Sequence, residues 1–308
     1  MSTTIRLAIG IPQTVPDAGF DPGVLRSYLQ RVEALGCFES VWDQEQILGA
    51  QNSLEPLHLL TYAAACTQRV RLGCAVILAV LRSPVHLAKE LATLDVLSQG
   101  RLIVGLGLGA QPRVYPAFGV DPATRVARFT ETVRIMKALW TEPKVTLEGR
   151  FWKLEDVAMA PKPVQQPHLP IYFGGNAPGA LKRAAMLGDG FIGAGSQSTA
   201  DFANQARTVL SHLEEAGKDP ATFDVGKRVY IGVDDDRDRA WGRLGAWFQS
   251  RYGRSEPFKH VAVYGSPAEC VEQLHAVAAG GAKFIQMTPL YDETEQMERI
   301  AADIVTHL

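Results

Sequence analysis

The sequence predicts a (β/α)8 TIM barrel, an α/β fold in which eight parallel strands alternate with helices. Short apolar runs alternate with longer segments of helical periodicity along the 308 residues. The apolar runs lack the polar alternation of a half-exposed sheet, which indicates parallel strands buried on both faces. No run resembles an edge strand and no linker divides the sequence. We therefore expect a single domain over residues 1–308, closed as a barrel rather than open as a doubly wound sheet.

The stretch Arg71–Gly109 shows the repeating unit most clearly. The apolar run Leu72–Leu81 is followed by Ser83-Pro84, a pair typical of a helix cap and first turn. Leucines at helical spacing continue until Gly100, a C-cap candidate, and Leu102–Leu108 is the next apolar run. This order predicts a strand, a helix and a second strand parallel to the first.

The same reasoning assigns the other elements in order. The predicted strands are Ile5–Ile11, Ser40–Trp42, Leu72–Leu81, Leu102–Leu108, Pro170–Gly174, Gly190–Ala194, Lys227–Val233 and Lys283–Met287. The predicted helices are Val24–Leu35, Leu54–Thr67, the segment from Pro84 to Gly100, Pro122–Trp140, Pro178–Leu187, Ala200–Ala216, Asp234–Tyr252, Ser266–Ala278 and Glu293–Leu308. Serine caps are expected at Ser198, with Asp201 at capping-box spacing, and at Ser266.

One segment interrupts the repeat after the fourth helix. Between Pro143 and Pro170 the sequence predicts a hairpin around Gly149, followed by a proline-rich extended loop. A hairpin has no place in a plain βα repeat, so we interpret residues 143–170 as an insertion. Together with the polar segment Tyr252–His260, it is expected to shape the substrate pocket.

Composition excludes several classes of function. A net charge of -2 gives no electrostatic reason to expect nucleic acid or an anionic membrane as a partner. No apolar run approaches a membrane span, and the first residues lack a secretion-signal pattern. The cysteines lack CxxC pairing and predict buried thiols in a reducing compartment. We expect a cytoplasmic protein with no bound metal, because the histidines are scattered without ligand spacing.

In a barrel of this kind the active site lies at the carboxyl ends of the strands. Two of these ends share a design, since Gly174-Gly175-Asn176 and Gly193–Ser196 each lead from a strand into a helix. Glycines allow close approach of a ligand, and helix N-termini attract anions. The pair favours a phosphate site, although each turn alone is equally typical of a tight connection.

Other strand ends carry polar or glycine-rich sequences. Asp43 ends a short strand and can accept hydrogen bonds from a ligand, or serve as a cap or ion-pair partner. Gly105–Gly109 is not a dinucleotide motif, because a proline-containing loop follows it instead of a helix. These glycines let a flat ligand lie against the strand, or make room inside the barrel. Weaker candidates at strand ends are Gln13, Gln44, Glu45, His86 and Gln111.

The signatures of hydrolases and metalloenzymes are missing from the sequence. There is no GxSxG, no HExxH and no clustered pair of carboxylates. A phosphate site without a strong acid, base or metal set indicates that a bound cofactor supplies the chemistry. We also find no basic set suited to a sugar phosphate, which disfavours a sugar-phosphate dehydrogenase.

Several motifs together resemble the bacterial luciferase-like monooxygenase superfamily. They are Leu87–Gly109 (LAKELATLDVLSQGRLIVGLGLG) with Arg82-Ser83-Pro84 before it, Ala117–Asp121, Ser40–Asp43, Leu147–Trp152, Pro170–Pro178, Gly188–Phe191, Gly265–Pro267 and Gly280–Ala282. The resemblance implies a barrel with an insertion and a flavin-type cofactor at its mouth. It is nearest to the branch that uses the deazaflavin coenzyme F420, and it implies a small-molecule substrate and a homodimer.

The resemblance also implies roles for individual residues. A non-proline cis peptide behind the deazaflavin ring would fall at Ala75-Val76, and Asp43 matches the family aspartate near the ring. Further cofactor-binding residues are implied by the resemblance or suggested by their place at strand ends: Gly107, Gly109, Gly174, Gly175, Asn176, Gly195 and Ser196. The candidate catalytic residues are Asp43, Gln44 and His86.

The sequence departs from the family pattern on the substrate side. Gln44 stands where the family often has histidine, and Ala110 where a tryptophan is common. We expect an F420-dependent oxidoreductase that transfers hydride to or from a small organic substrate. The alternatives are an FMN-dependent monooxygenase supplied by a separate reductase, a non-catalytic flavin- or F420-binding barrel, and a phosphate-binding barrel enzyme without a flavin.

Overall fold

The computed structural model describes residues 5–16, 19–49, 52–109 and 112–308. Contacts group these residues into two compact units, each built from segments that are distant in sequence. The first unit contains residues 5–12, 21–42 and 175–308, and the second contains the remaining described residues up to 174. The single domain over 1–308 stays a prediction.

Strands and helices alternate along the described chain in the predicted manner. The strands are β1 (Arg6–Gly10), β2 (Ser40–Asp43), β3 (Arg71–Ile77), β4 (Leu102–Leu106), β5 (Val145–Glu148), β6 (Lys153–Val157), β7 (Ile171–Gly174), β8 (Gly190–Gly193), β9 (Asp224–Val233), β10 (Val263–Gly265) and β11 (Phe284–Pro289). The α-helices are α1 (Pro22–Leu35), α2 (Pro56–Cys66), α3 (Pro84–Leu97), α4 (Arg125–Thr141), α5 (Pro178–Leu187), α6 (Thr199–Glu215), α7 (Arg237–Tyr252), α8 (Pro267–Ala279) and α9 (Glu293–Asp303).

The first unit is built on a parallel sheet. Strand β1 pairs with β2 on one side and β11 on the other, and β11 pairs with β9. The long strand β9 uses its opposite edge twice, pairing with β8 near its start and with β10 near its end. On one face of this sheet Trp42 stacks on Phe284 with ring centroids 5.7 Å apart.

The second unit has a three-stranded parallel sheet in the order β3, β4, β7. Strands β5 and β6 form an antiparallel hairpin within the segment interpreted as an insertion. Its tip is held by Glu131 of α4, which accepts hydrogen bonds from the main-chain N–H groups of Arg150, Phe151 and Trp152 at 2.9–3.1 Å. The buried Asp95 of α3 accepts the N–H of Val164 at 2.8 Å. The hairpin tip and the loop that follows the hairpin are therefore each held by a helix of the same unit.

Most differences from the predicted elements lie at their ends. Strand β3 stops at Ile77 instead of Leu81, because a short 3-10 turn covers Ala79–Leu81. Strand β10 was not predicted, since three residues are too few for a periodic signal. Two predicted caps are confirmed, since Ser198 accepts the N–H of Asp201 and Ser266 forms a complete capping box. Ser83 occupies the N-cap position of α3, but its side chain makes no capping hydrogen bond. The prediction of Gly100 as the C-cap was wrong, because α3 ends at Leu97 with Ser98 as its C-cap.

Two further predictions concern thiols and membranes. Cys74 and Cys270 are buried thiols as expected, whereas Cys37 and Cys66 are only half-buried, so the prediction of burial was wrong for that pair. Within the described residues, every helix is too short or too polar to cross a membrane. A cytoplasmic location stays a prediction.

Candidate active site

Asp43 is the most unusual carboxyl group in the second unit. It ends β2 with 1% of its surface exposed, and neither oxygen accepts a hydrogen bond from the described residues. Burial raises the pKa of Asp43 well above its usual range, because removal from water disfavours the charged form. The negative charges of Glu55 and Glu45 add to this rise in the pKa of Asp43. The carboxyl group therefore favours its protonated form, in which it can donate a proton.

The negative charge near Asp43 comes from an ion-pair network. Arg82, with 18% of its side chain exposed, donates to Glu45 at 2.6 Å and to Glu55 at 2.8 Å. The Glu45 side chain is fully buried and also accepts the main-chain N–H of Leu78. Two carboxylates share one guanidinium, so the network keeps a net negative charge. That charge disfavours ionisation of Asp43.

The two glutamates respond differently to this setting. Burial raises the pKa of Glu45, and the attraction of Arg82 opposes the rise. Burial also acts to raise the pKa of Glu55, but hydrogen bonds from His58 and Arg82 outweigh it and hold that pKa below the usual value. Glu55 is in addition the N-cap of α2, accepting the His58 N–H at 3.0 Å. The network thus ties the end of β3 to the start of α2.

Gln13 holds the backbone that follows Asp43. Its side-chain amide accepts the N–H of Gln44 at 2.8 Å and donates to the Gln44 carbonyl at 2.9 Å. It also donates to the hydroxyl of Ser53 at 2.6 Å. The half-buried side chain of Gln44 makes no hydrogen bond to the residues that the structure describes. Its backbone is fixed while its amide is available to a ligand.

Strand β3 carries a bulge at the predicted position. The Ala75-Val76 peptide bond is cis, and the register with β4 shifts between Cys74 and Ile77. Both bulge residues are partly exposed, although Cys74 and Ile77 on either side are buried. The bulge therefore presents backbone and small side chains at the surface of an otherwise buried strand, which suits contact with a flat ring.

The glycines of β4 make room for this bulge. A β-carbon at Gly105 would overlap the carbonyl oxygen of Cys74, and one at Gly107 would overlap the side chain of Val76. At Gly109, just beyond the strand, a β-carbon would lie 2.8 Å from Leu78. The sequence left two explanations for these glycines, contact with a flat ligand or room inside the barrel. The structure supports the second, because the missing side chains leave space for neighbouring protein atoms. Direct contact of Gly107 and Gly109 with a cofactor stays a prediction.

The predicted phosphate turns belong mainly to the first unit. Gly175 and Asn176 precede α5, and the buried Gly195 and exposed Ser196 precede α6. Helices α5 and α6 pack against each other. The turn at Gly195 is braced by Lys227 of β9, whose ammonium donates to the carbonyls of Ala194 and, at 3.0 Å, of Gln197. Gly174, at the end of β7, leads into the first of these turns.

The sequence matches a known protein family over most of its length. The model for luciferase-like monooxygenases matches residues 5–283. The chain belongs to the luciferase-like monooxygenase family. It is 30% identical over 317 residues to an F420-dependent glucose-6-phosphate dehydrogenase of Kineococcus radiotolerans, with 93% of each chain covered.

Solved structures agree with this assignment. The monooxygenase RslO1 from Streptomyces bottropensis has 25% identity and a TM-score of 0.84, over 98% of this chain and 99% of that one. An F420-dependent secondary alcohol dehydrogenase in complex with an F420-acetone adduct has 20% identity and a TM-score of 0.86, over 99% of both chains. The predicted fold class is confirmed, a closed barrel of eight parallel strands with surrounding helices. The resemblance to the F420-dependent branch is also confirmed.

Some candidates in this luciferase-like chain are not brought into the site by any described contact. His86 is exposed in the first turn of α3. Ala110 and Gln111 lie outside the described residues. Within the described ranges no three His, Cys, Asp or Glu side chains come together as metal ligands. A catalytic role for His86 stays a prediction.

Two basic residues on β9 were not recognised as candidates from the sequence. Lys227 and Arg228 are 1% and 9% exposed. Burial lowers the pKa of Lys227 to about 7, and the charge of Arg228 contributes to the same shift. Adjacent basic residues inside an apolar strand are the signal that could have identified them, because such side chains are rarely buried without a purpose.

Proposed function

We propose that this chain is an F420-dependent oxidoreductase that transfers hydride between carbon 5 of the deazaflavin and a small organic substrate. The substrate would be an alcohol, an aldehyde, an imine or an activated alkene. Membership of the luciferase-like family supports the proposal, as do the F420-dependent activities in the names of its relatives. An FMN-dependent monooxygenase would have the same fold and belong to the same family.

The observation that carries the proposal is Asp43, a buried carboxyl group without a hydrogen-bond partner in the described structure. Such a group is costly to bury unless a ligand completes its hydrogen bonding. The bulge at Ala75-Val76, on the same unit, offers the partly exposed surface for a planar ring. These two features fit a deazaflavin.

When bound, F420 would supply or accept the hydride at carbon 5. The protein's own contribution is to move the accompanying proton. A protonated Asp43 can donate from Oδ to an oxygen or nitrogen of the substrate, and the carboxylate can take that proton back in the reverse direction. Burial of Asp43, together with the charges of Glu55 and Glu45, raises its pKa and favours the protonated form. Gln44 would hydrogen-bond the substrate or the ring through its free amide.

The remaining residues would hold the cofactor. The backbone at Ala75-Val76 would support the ring, with Gly107 making room for that bulge beside Val76. Gly109, which lies against Leu78, would contact the cofactor next to it. The turns at Gly174, Gly175, Asn176, Gly195 and Ser196 would hold the phosphate, because main-chain N–H groups at helix N-termini attract anions. Assembly as a homodimer is part of the proposal.

The direct test is turnover. Purified protein is mixed with oxidised F420 and a panel of primary and secondary alcohols, and with reduced F420 and aldehydes, imines and activated alkenes. Loss or gain of the deazaflavin's visible absorbance reports the reaction. The proposal is supported if the wild type turns over a substrate and Asp43→Asn does so much more slowly. Equal turnover by the two proteins would contradict the role of Asp43 in moving the proton.

A second candidate is an FMN-dependent monooxygenase. The likeness to the monooxygenase RslO1 favours it, since that protein has the higher identity of the two solved structures. This candidate predicts oxygen consumption when reduced FMN and an organic substrate are supplied. Absence of oxygen uptake above the rate of free reduced FMN would argue against it.

A further inference from the structure

Arg228 is a buried cation that has no counter-ion among the residues described by the structure. Its side chain lies on β9 with the residue 9% exposed, and no carboxylate lies within ion-pair distance among the described residues. Its guanidinium donates to the hydroxyl of Tyr230 and lies 4.8 Å from the centre of that ring. Its Nε is buried and has no hydrogen-bond partner in the described structure. A buried guanidinium in this state lacks the anion that usually compensates for its loss of hydration.

The neighbouring strand adds more polar groups without partners. Gln286 on β11 is opposite Arg228 in the parallel pairing, and Thr288 is opposite Tyr230. Side chains paired in this way project from the same face of a sheet. Gln286 is 0% exposed and neither atom of its amide is hydrogen-bonded, and the buried hydroxyl of Thr288 is equally without a partner in the described residues. Nε of Arg228, the amide of Gln286 and the hydroxyl of Thr288 therefore lie on one face of the sheet without hydrogen-bond partners among the described residues.

The turn before α6 lies directly against this cation. A β-carbon at Gly195 would be 2.8 Å from Nε of Arg228 and 3.2 Å from Nη2. Only glycine lets the backbone of that turn approach the guanidinium so closely. Lys227 holds the same turn through the Ala194 and Gln197 carbonyls. The predicted phosphate turn and the guanidinium of Arg228 are thus parts of one arrangement within the first unit.

We infer that Arg228, Gln286 and Thr288, with the Gly195 turn, form a binding site for an anionic oxygen group, a phosphate or a carboxylate. Arg228 supplies the charge and a planar donor edge, which matches two oxygens of such a group. The Gln286 amide and the Thr288 hydroxyl supply further hydrogen bonds. The hydrogen bond between Tyr230 and Tyr252, 2.8 Å between oxygens, holds the Tyr230 ring beside the guanidinium. The site extends the predicted phosphate turns by a cation.

Two sources could supply the anionic group. One is the phosphate of F420, and the other is an anionic group of the substrate, which would place organic acids or phosphate esters in the substrate class. This assignment of source rests on the proposed function. The existence of the site does not, because inorganic phosphate can test it without any cofactor.

The first experiment is a calorimetric titration of the cofactor-free protein with inorganic phosphate. We expect binding by the wild type and at least about tenfold weaker binding by Arg228→Gln, because charge-assisted hydrogen bonds are lost. The matched control is Arg207→Gln, which removes the same charge from an exposed position on α6. Equal affinity in the wild type and Arg228→Gln, or no binding by the wild type, would overturn the inference.

A second variant guards against failure of Arg228→Gln to fold. Gln286→Leu keeps the cation and removes the amide, and we expect its affinity for phosphate to fall by about threefold or more. An unchanged affinity in this variant would contradict the site as described.

The second experiment identifies the source. F420 and the deazaflavin nucleoside that lacks its phosphate and tail are titrated separately into the wild type and Arg228→Gln. If Arg228→Gln weakens F420 about tenfold or more but leaves the nucleoside unchanged, the anion is the cofactor's phosphate. The alternative outcome is that the wild type and Arg228→Gln bind F420 with equal affinity, and that the F420-saturated wild type still binds inorganic phosphate. In that case the site serves the substrate. Failure of F420 to bind the wild type would refute the proposed function and leave the phosphate result standing.

Discussion

The side chain of Val76 occupies the space in which a β-carbon of Gly107 would lie. One residue is in the cis bulge of β3, and the other directly follows β4 beside it. Gly107 also donates its N–H to the carbonyl of Ile77 at 3.0 Å, which joins the two strands just past the bulge. The position of the proposed ring support therefore depends on a glycine of the neighbouring chain segment.

Replacement of Gly107 by alanine should displace the bulge. We expect F420 affinity to fall by about tenfold or more, and the free energy of unfolding to fall by about 1–3 kcal/mol, because an extra methyl group must be accommodated against Val76. Fluorescence titration and urea unfolding measure the two effects. Gly242→Ala in α7 is the control, since a β-carbon there meets nothing within 4 Å. If both variants bind F420 like the wild type, the bulge does not support the ring.

Replacement of Asp43 by asparagine tests the proton step. The amide keeps the shape of the carboxyl group but cannot deliver a proton, so kcat should fall by about 10²–10⁴-fold while F420 affinity changes little. Steady-state kinetics with a substrate from the panel gives both values. Asp235→Asn is the control, because that carboxylate is on the surface, paired with Arg299 at 3.0 Å. Normal turnover by Asp43→Asn would show that the proton takes another route.

The same variant makes a prediction about pH and stability. The pKa of Asp43 is raised in the folded protein, chiefly by burial, so the folded state holds this proton more tightly than the unfolded state. Its contribution to stability is complete below the unfolded pKa and is lost as pH rises through the folded pKa. Between those two pKa values, the free energy of unfolding of Asp43→Asn should rise relative to that of the wild type by up to about 1.4 kcal/mol per pH unit. Urea unfolding of both proteins across this range provides the comparison, and parallel curves would contradict it.

The ion pairs of Arg82 should matter far more than pairs on the surface. Arg82→Met leaves the fully buried Glu45 without its cation, and the free energy of unfolding should fall by about 3–5 kcal/mol. The double variant Arg82→Met/Glu45→Met should recover part of that loss, because no uncompensated charge remains. Arg31→Met is the control, since it removes an exposed pair with Glu298 and should cost less than about 1 kcal/mol. Denaturant unfolding of the four proteins completes the test.

Periodic features of the sequence were sufficient to predict the fold. Apolar runs identified the eight barrel strands, and serine caps located the starts of α6 and α8, because burial and capping act locally. The short strand β10 carries no such pattern and was missed. Asp43 could be predicted as a candidate site residue from its place at the end of β2. The cis bond at Ala75-Val76 was expected only from the family resemblance.

Contacts between distant residues could not be predicted in the same way. Arg82 joins Glu45 to Glu55, and no spacing in the sequence indicates that the three side chains meet. The burial of Arg228 runs against the usual location of arginine, so composition alone assigns it to the surface. The space around Gly107 depends on Val76 of another strand. Such features follow from packing, which a single sequence does not encode in a local pattern.

The central claim is the identity of the cofactor. The most direct measurement is a titration of the purified protein with F420 and, separately, with FMN, followed by quenching of tryptophan fluorescence. The account predicts F420 binding with a dissociation constant of about 1 μM or tighter, equivalent to about 8 kcal/mol, and FMN binding at least tenfold weaker. Preference for FMN would contradict the account and favour the flavin monooxygenase. Binding of neither would contradict both functions and leave only the barrel.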